Sequence, residues 1–597
     1  MVRTGRLGFL LLSLLGLACG KTTDNEPGGN AHPSGGIGPS VIGGDGGAPE
    51  AGGGGGRSSG QAGSGGASDK GGADGTGGTA LGGETTGGKG AGGSGGLGEP
   101  DLSFVDLDGA PIYTRVQRLT NQQWENAVTD ILRFKERRDL SARFASAPVS
   151  AAPFDNNERV LYVDPPKFSD FETGAEAAAA IATSSAAALA ALYPGDDPPG
   201  FVRAFGRRAF RRPLTLEEET KYQSVFALGE RLYGAGFANG AALVIRGMLE
   251  SPHFVYRTEL GSAGDPLNPY ELVSKLSFWL LGTTPSDALL DAAGAGELAS
   301  SDSLEATARQ MLDDPRAVLS MRDFHAQFLH FQFFQNVSKF NVPEYTPALN
   351  AELALASSAF FDHVFQENLG LREMLTSKQA YVSPGLAPFY GLPAPAQGLE
   401  LRDLGSSRSG YFMQVPYLML WGRNTESDPI HRGLALEAAL LCGPPRPPTA
   451  LPPTTPALQP GETTRVRVSR LTASCGSACH SYIDPLGFAF ENFDGMGRER
   501  ASDNGVAVDT TGSYPFAEGV EAFADGNELM RVMADSAQVH TCYSKSVASY
   551  ALGRDLVEGD RSLLESLANV SLSESLKEVV VALVRNPAFR VRKEAQP

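Results

Sequence analysis

Two cysteines and a histidine stand close together in the segment SCGSACHSYIDPLG, at Cys475, Cys479 and His480. Two thiols followed directly by a histidine form the attachment motif of c-type haem, in which the thiols bond to the haem and the imidazole ligates its iron. The usual spacing is C-x-x-C-H, and this sequence has one further residue between the cysteines, C-x-x-x-C-H. The residues predict haem c as a cofactor, bound by Cys475, Cys479 and His480.

A haem iron takes a second axial ligand, and residues of suitable chemistry lie on both sides of the motif. His431, in DPIHRG, would lower the reduction potential, whereas Met496, in DGMG, would raise it. His431 is the leading candidate for the second ligand of the iron. Arg432 and Arg498 are candidates for pairing with the haem propionates, because guanidinium groups bind carboxylates through paired hydrogen bonds. Asp484, in DPLG, is interpreted as a turn-capping residue.

Disulfides are the alternative use of the thiols. Apart from Cys19 the chain has four cysteines, Cys442, Cys475, Cys479 and Cys542. Four cysteines allow three sets of pairings, and their spacing does not choose among them. A zinc site is disfavoured, because no second C-x-x-C motif or histidine pair lies at ligand spacing.

Motifs for other chemistries are missing from the part of the sequence expected to fold. G-x-S-x-G occurs only within a glycine-rich segment near the N-terminus, and the sequence contains no H-E-x-x-H. The sequence therefore identifies no hydrolase or transferase activity and leaves a redox role as the enzymatic activity to consider.

The charge balance bears on partners. The net charge is −18 and the sequence pI is about 5.0, which disfavours binding to phosphate backbones. The one dense basic run, RAFGRRAFRRP, spaces Arg207 with Arg211 and Arg208 with Arg212 at helical intervals, with glutamates close behind. It predicts a helical surface with ion pairs rather than a nucleic-acid site.

Helical periodicity dominates the elements that must position these residues, from residue 115 onward. Three helix starts carry capping signals, which are Thr120 and Asn121 before Trp124, Thr215 with Glu218, and Asn268 with Pro269. Further helices are expected near 236–250, 303–313, 316–335, 351–366, 540–553 and 574–585. Alternating patterns typical of strands are scarce, so the fold is predicted to be mainly α.

The N-terminal segment has the plan of a secretory signal, with two arginines, an apolar run from Leu7 to Leu17 and small residues after it. Cys19 follows directly, and this arrangement resembles a bacterial lipoprotein processing site, where the cysteine is lipidated. The next 80 residues, 21–100, contain 33 glycines, which predicts a disordered linker without a core. The alanine-rich stretch 174–192 predicts a packed helix. We expect an exported protein in the cell envelope, lipid-anchored at the periplasmic face or the cell surface.

Several segments of the folded part carry a resemblance to a known family. They are RLTNQQWENAVTDIL, AFRRPLTLEE, SPHFVYRTEL, YELVSKLSFWLLGTTPSDALL, DPIHRGLALEAALLCGPPRPP, IDPLGFAFENFDGMGRER and CYSKSVASYALGR. The sequence resembles a bacterial exported multi-domain family built from domains of unknown function 1587, 1595, 1592, 1588 and 1585, which accompany planctomycete-type cytochrome c domains. The resemblance implies that Cys475, Cys479 and His480 occupy the family's haem-like motif, and that Cys442 and Cys542 form a structural disulfide.

The resemblance also implies a division of the chain into helical modules behind the linker. The expected boundaries are 1–19 for the signal, 20–100 for the linker, 101–198, 199–262, 263–400 and 401–500 for the 1587-like, 1595-like, 1592-like and 1588-like modules, and 501–597 for the 1585-like module. A cytochrome-c-like helical module is expected towards the C-terminus.

Two functional hypotheses follow from the sequence. In the first, the protein is an exported, lipid-anchored carrier of haem c that transfers electrons to a redox partner in the cell envelope. In the second, the same scaffold has no cofactor, is braced by disulfides, and binds a surface ligand or has a structural role. The spare residue in C-x-x-x-C-H favours the second hypothesis, and the histidine that follows it favours the first.

Overall fold

The computed structural model describes residues 102–109, 116–148, 152–260, 264–443, 456–473 and 476–591. The predicted secretory signal, Cys19 and the predicted glycine-rich linker lie outside the described residues. Within the described ranges α-helices predominate, and the strands pair only as short two-stranded antiparallel ribbons. The prediction of a mainly α fold is confirmed.

The first part of the chain forms seven helices around one hydrophobic core, here called the N-terminal core. The helices are α1 (Asn121–Ile131), α2 (Pro165–Ala182), α3 (Ala186–Leu192), α4 (Pro198–Phe210), α5 (Leu216–Tyr233), α6 (Phe237–Leu249) and α7 (Pro252–Val255). Strand β1 (Val116–Arg118) enters this core and β2 (Tyr256–Thr258) leaves it, and the two pair with Arg118 opposite Tyr256. Buried aromatic side chains fill the centre, among them Trp124, Phe171 and Phe205.

The remaining helices follow from Pro269 onward, and all of them except Thr464–Thr472 contribute buried side chains to a second and larger hydrophobic core, here called the main core. They are α8 (Pro269–Leu280), α9 (Asp287–Gly294), α10 (Ser301–Leu312), α11 (Pro315–Phe328), α12 (Leu349–Gln366), α13 (Leu371–Thr376), α14 (Ala387–Tyr390), α15 (Val415–Leu420), α16 (Pro429–Leu440), α17 (Thr464–Thr472), α18 (Gly476–Phe488), α19 (Gly526–Asp535), α20 (Ala537–Leu552), α21 (Arg561–Ser573), α22 (Leu576–Arg585) and α23 (Pro587–Arg590). The main core also receives Leu102 and Leu107 from the segment before β1.

Three further ribbons and four 3-10 turns complete the described part. The ribbons pair β3 (Gln379–Val382) with β4 (Glu400–Asp403), β5 (Ser502–Asp503) with β6 (Val506–Ala507), and β7 (Gly512–Phe516) with β8 (Gly519–Phe523). The 3-10 turns are Glu158–Val160, Phe331–Asn336, Tyr411–Met413 and Glu558–Asp560.

The capping signals of the sequence are present where they were predicted. Thr120 and Gln123 form a capping box at α1, and Thr215 and Glu218 form one at α5. At α8, Asn268 accepts hydrogen bonds from the first turn, and Pro269 takes the first helical position. These short-range contacts satisfy backbone N–H groups that have no partner inside the helix.

The basic run departs from its prediction at Arg211. Helix α4 ends at Phe210, and Arg211 takes a left-handed backbone conformation, with φ of 57°. Its side chain turns inward, is 4% exposed and donates hydrogen bonds to the carbonyl groups of His253, Phe254 and Tyr256. The predicted ion-paired surface is correct for Arg207 with Asp291 and wrong for Arg211, because local spacing does not reveal the distant carbonyl groups.

The alanine-rich stretch forms two helices instead of one. Ser184 and Thr183 bond back to carbonyl groups at the end of α2, and Ser185 caps the start of α3. Within the described ranges no single helix has the length and apolar composition needed to cross a membrane, while α2 and α3 meet that test only as a pair bent by 107°.

Candidate functional site

The helices that carry the histidines of interest, α16 and α18, lie in backbone contact. A Cβ atom at Gly433 of α16 would overlap the carbonyl group of Ile483, and one at Gly487 of α18 would overlap the carbonyl group of Pro429. Only glycine permits this approach. The pair of glycines therefore fixes the distance between the helix with His431 and the helix with His480.

His480 is oriented by a chain of hydrogen bonds within α17 and α18. Its Nδ1 atom lies 2.8 Å from Oδ1 of Asp484, one helical turn further on. The other carboxylate oxygen of Asp484 accepts a hydrogen bond of 2.8 Å from the hydroxyl group of Thr472, at the end of α17. Asp484 is 6% exposed, so this carboxylate is shielded from water. With its proton on Nδ1 and donated to Asp484, His480 keeps the lone pair of Nε2 for another partner.

Of the two cysteines of the motif, Cys479 lies within the described residues. Cys475 lies outside the described residues. Cys479 directly precedes His480 on α18, is half-buried, and forms no disulfide with a described residue. A thiol and an imidazole, two side chains that can ligate metals, therefore occupy consecutive positions in the first half of α18.

His431 has its own carboxylate partner at the start of α16. Asp428 caps this helix, and its Oδ2 atom lies 2.7 Å from Nδ1 of His431. The hydrogen bond with Asp428 raises the pKa of His431 against the effect of burial. Burial alone would raise the pKa of Asp428, but its bonds with His431 and Arg423 outweigh burial and lower that pKa to about 2. The bond with Asp428 thus favours the protonated His431 ring over the neutral ring, and a metal ligand must be neutral.

The sequence offers His431 or Met496 as a second axial ligand beside His480. Among the described residues no group of three or more His, Cys, Asp or Glu side chains is arranged to hold a metal ion. Met496 is 2% exposed and packs within the main core. Ligation of an iron by His431 or Met496 stays a prediction.

The suggested pairing of arginines with haem propionates is wrong for Arg432. Its side chain is fully buried, and its guanidinium group donates to the carbonyl groups of Leu418, Phe490, Phe493 and Asp494. It joins α16 to α15 and to the turns after α18, and it has no surface to offer a ligand. Arg498 forms an ion pair of 2.7 Å with Glu344.

The structure contains the disulfide between Cys442 and Cys542 that the family resemblance implies. Cys442 follows the last turn of α16, and Cys542 lies buried in α20. This expectation is confirmed, and it assigns two of the four cysteines to a structural role.

Two residues of the site had been interpreted differently or missed. The sequence favours a turn-capping role for Asp484, whereas the structure bonds it to His480, and Thr472 was not singled out. The available signal was the spacing of four residues between His480 and Asp484, which places both on one face of a helix. Thr472 gives no comparable signal, because it lies on a different helix.

Comparisons with known proteins concern families only. Five family models match the chain, each described as a protein of unknown function: DUF1587 over 117–184, DUF1595 over 199–259, DUF1592 over 267–392, DUF1588 over 408–503 and DUF1585 over 520–589. The model that covers the cysteines and histidines of the site is labelled PSCyt3. No curated protein and no solved structure matches the chain.

The five matches follow one another along nearly all of the folded part, in the order expected from the resemblance. Together with the helical architecture and the disulfide between the 1588 and 1585 modules, they establish that this chain belongs to the multi-domain family built from domains of unknown function 1587, 1595, 1592, 1588 and 1585.

Proposed function

We propose that the protein carries a covalently attached haem c at Cys475, Cys479 and His480 and transfers electrons in the cell envelope. Haem c would supply a one-electron redox centre, and thioether bonds to the two cysteines would retain it outside the cell. The family label PSCyt3, which covers this module, supports an association with cytochromes.

One observation carries the proposal, namely the hydrogen-bond chain Thr472–Asp484–His480. Histidines that ligate metals characteristically donate their other ring N–H to a carboxylate, which fixes the tautomer and strengthens the ligand. His480 has this arrangement through Nδ1, with 2.8 Å to a buried carboxylate. This contact supports the proposal, because it leaves Nε2 of the histidine in the sequence motif available to an iron.

Location is part of the same proposal. Membership in this family supports an exported protein, and Cys19 is the proposed site of lipid attachment. Replacing Cys19 with Ser should leave export intact and move the protein from the membrane fraction to the soluble envelope fraction. An unchanged distribution of the Cys19→Ser variant would exclude the anchor.

The test for haem is spectroscopic. The full chain is exported by a host able to mature c-type cytochromes, and a reduced-minus-oxidised absorbance spectrum is recorded. We expect a sharp α band and a haem stain that survives a denaturing gel, because thioether bonds persist after unfolding. A colourless protein with no free thiols would refute haem attachment.

Variants of the site separate attachment from ligation. Cys475→Ala and Cys479→Ala should each weaken the gel stain, whereas His480→Ala should change the α band. Asp484→Asn should leave attachment intact and raise the reduction potential in a potentiometric titration, because a neutral partner makes His480 a weaker donor to the iron. His253→Ala is the matched control, since this histidine lies outside the site and its side chain is 51% exposed.

The alternative function is a cofactor-free binding or structural lipoprotein. The Cys442–Cys542 disulfide favours it, because an exported module can be stabilised by such bonds without a cofactor. In that case Cys475 and Cys479 pair with each other. Mass mapping of peptides from the non-reduced protein would then find the Cys475–Cys479 bond and no haem mass.

A further inference from the structure

Two buried tyrosines of α20, Tyr543 and Tyr550, have hydroxyl groups bonded to side chains that can take up a proton. The two residues lie seven positions apart, which is two helical turns, so they share one face of α20. Their partners are His325 and Asp323, which both belong to α11. The two phenol groups therefore face α11 through separate hydrogen bonds.

The bond between Tyr543 and His325 has a defined direction. Nδ1 of His325 lies 2.8 Å from the main-chain carbonyl oxygen of Met321, and a carbonyl oxygen only accepts, so Nδ1 carries the ring proton. Burial lowers the pKa of His325 to about 4, which keeps the ring neutral at neutral pH. Nε2 therefore accepts from the hydroxyl group of Tyr543 at 2.9 Å, a distance across which a proton can be transferred.

The bond between Tyr550 and Asp323 lies nearer the surface. The hydroxyl group of Tyr550 donates to Oδ2 of Asp323 at 2.7 Å, and the amide group of Gln327 donates to the same oxygen at 2.9 Å. Asp323 reaches solvent, but the protein on its other sides removes it partly from water and raises its pKa despite these two bonds. Its carboxylate therefore takes up a proton more readily than an ordinary aspartate does.

A phenylalanine ring joins the two tyrosines. The centroid of the Phe324 ring lies 5.3 Å from that of Tyr550 and 6.1 Å from that of Tyr543. Electron transfer weakens steeply with distance, so rings in contact favour it over one direct step across two helical turns. The three rings form a continuous path from the exposed carboxylate of Asp323 into the main core.

Tyr411 and Tyr417 show that such pairing is not general among the buried tyrosines of the main core. Both are as deeply buried as Tyr543, but the hydroxyl group of Tyr411 donates to Ser357 Oγ and that of Tyr417 to the carbonyl group of Arg432. Loss of one electron makes a phenol strongly acidic, so a tyrosine is oxidised readily only where a base accepts its proton. A serine hydroxyl group and a carbonyl group are not bases at neutral pH.

We propose that Tyr550 and Tyr543 form a redox relay that reduces peroxyl radicals and holds the resulting radical inside the main core. A phenol can do this because the O–H bond formed in a hydroperoxide is similar in strength to the phenolic O–H bond that breaks. The relay does not involve Cys475, Cys479 and His480, so it is independent of haem.

The relay consists of two balanced steps. In the first, a peroxyl radical takes one electron from Tyr550 and becomes a peroxide anion, which water protonates, while the O–H bond of Tyr550 breaks and its proton passes to Asp323. In the second, one electron passes from Tyr543 through Phe324 to Tyr550, whose oxygen recovers the proton from Asp323. The proton of Tyr543 passes to Nε2 of His325, which leaves a neutral phenoxyl radical beside a protonated imidazole.

Electron paramagnetic resonance of the full chain tests the proposal. Peroxyl radicals are generated from a water-soluble azo initiator in aerated buffer, the initiator is removed, and samples are frozen after increasing delays. We expect a phenoxyl signal that outlasts the signals of exposed tyrosines such as Tyr162 and Tyr233, because the main core shields Tyr543 from water and from other radicals. Ring-deuterated tyrosine should narrow this signal. Absence of a persistent signal, or one that ring deuteration leaves unchanged, would overturn the relay.

Variants locate the radical. Tyr543→Phe should abolish the persistent signal, whereas Tyr550→Phe and Asp323→Asn should slow its formation. Tyr417→Phe is the matched control, because it removes an equally buried phenol group that has no base as partner, and it should retain the signal. Circular dichroism verifies the fold of each variant. A persistent signal in Tyr543→Phe, or its loss in Tyr417→Phe, would show that the radical is held elsewhere.

The wild-type protein provides a test that needs no substitution. Phenolic O–H bonds break in both steps, so the persistent signal should form more slowly in deuterated water than in ordinary water. Equal rates in the two solvents would contradict proton transfer to Asp323 and His325.

Discussion

At the scale of single residues, buried arginines organise this protein. Arg211 and Arg432 are almost or fully buried, and each donates to several main-chain carbonyl groups instead of pairing with a carboxylate at short distance. A guanidinium group has five N–H donors in a fixed plane, so one side chain can hold several loop ends together. Such residues act as internal braces between helices and turns.

The bracing role predicts a large loss of stability on replacement of Arg211. Arg211→Met keeps much of the side-chain volume but removes the donor from three buried or partly buried carbonyl groups, so the free energy of unfolding should fall by about 2–4 kcal/mol. Urea denaturation followed by circular dichroism measures the change. Arg207→Met is the control, and it should cost at most about 1 kcal/mol, because Arg207 pairs with an exposed Asp291. Equal losses in the two variants would refute the bracing role.

Residue roles were the part of the structure least accessible from the sequence. The motif at Cys479 and His480 was identified because cysteine chemistry is rare and specific, whereas the pairing of Cys442 with Cys542 was implied by the family resemblance alone. Arg432 and Asp484 were misinterpreted, because their partners depend on the approach of separate segments or on which face of a helix is buried. A sequence displays the type of a side chain and its local spacing, but not the distant atoms that it meets.

At the scale of elements, the contact between α16 and α18 is set by two glycines. The same amino acid has the opposite effect elsewhere: Gly247, within α6, has an open position where a Cβ atom would make only ordinary contact with Tyr222, 3.9 Å away. Glycine within a helix is costly in backbone entropy unless the packing requires it. Packing requires glycine at positions 433 and 487, but it does not require glycine at position 247.

Replacement by alanine should therefore change the free energy of unfolding in opposite directions at Gly433 and at Gly247. Gly433→Ala forces α16 away from α18 and should lower the free energy of unfolding by about 1–3 kcal/mol. Gly247→Ala should raise it by about 0.5–1 kcal/mol, through lower entropy of the unfolded chain and better helix propensity. Chemical denaturation of both variants measures the difference. An unchanged free energy of unfolding in Gly433→Ala would mean that α16 and α18 can move apart without loss of stability.

Helices were the elements that the sequence predicted best. The observed bounds of α6, α12 and α22 agree closely with those expected, because apolar periodicity and capping residues are local properties. The expected helix at 316–335 instead ends at Phe328, and a 3-10 turn follows, with His330 at φ of 59° between them. That break is set by packing of Phe331 and Phe334 into the main core, which the periodic pattern does not distinguish from a continued helix.

At the scale of the whole molecule, covalent and electrostatic links join segments that are far apart in the sequence. The disulfide closes a separation of 100 residues, between the 1588 module and the 1585 module. The Asp155–Gln327–Asp323–Tyr550 cluster joins the 1587, 1592 and 1585 modules. The modules therefore depend on one another more than their separate family models suggest.

Removal of the disulfide should cost a substantial part of the stability. Closing a loop of about 100 residues in the unfolded chain corresponds to about 4–5 kcal/mol in the loop-entropy account. The free energy of unfolding of the double variant Cys442→Ala with Cys542→Ala should be lower by about 2–5 kcal/mol, as is typical for native disulfides. Urea denaturation measures this change. A reducing agent should destabilise the wild-type protein but not the double variant. Sensitivity of the double variant to reduction would implicate a different disulfide.

The carboxyl group of Asp155, which lies beside Asp323, should make the free energy of unfolding depend on pH. Because the folded state raises the pKa of Asp155 from 3.8 to about 6, folding tightens the binding of its proton. The resulting stabilisation is complete below pH 3.8 and is lost as the pH rises through about 6. Asp155→Asn should remove this decline, so the difference in unfolding free energy between wild type and variant should change across that window. Parallel curves for the two proteins would contradict the assignment.

The segment Leu102–Leu107 has a consequence for the order in which the chain becomes native. Leu102 and Leu107 are buried in the main core, and Asp108 forms an isolated β-bridge with Val557. Similarly, Pro266 bridges to Val591, near the end of the described chain. Leu102 and Leu107 therefore cannot be buried in the main core until the C-terminal helices have been synthesised. The main core is therefore expected to be completed late, with contacts between the two ends of the described chain, rather than module after module.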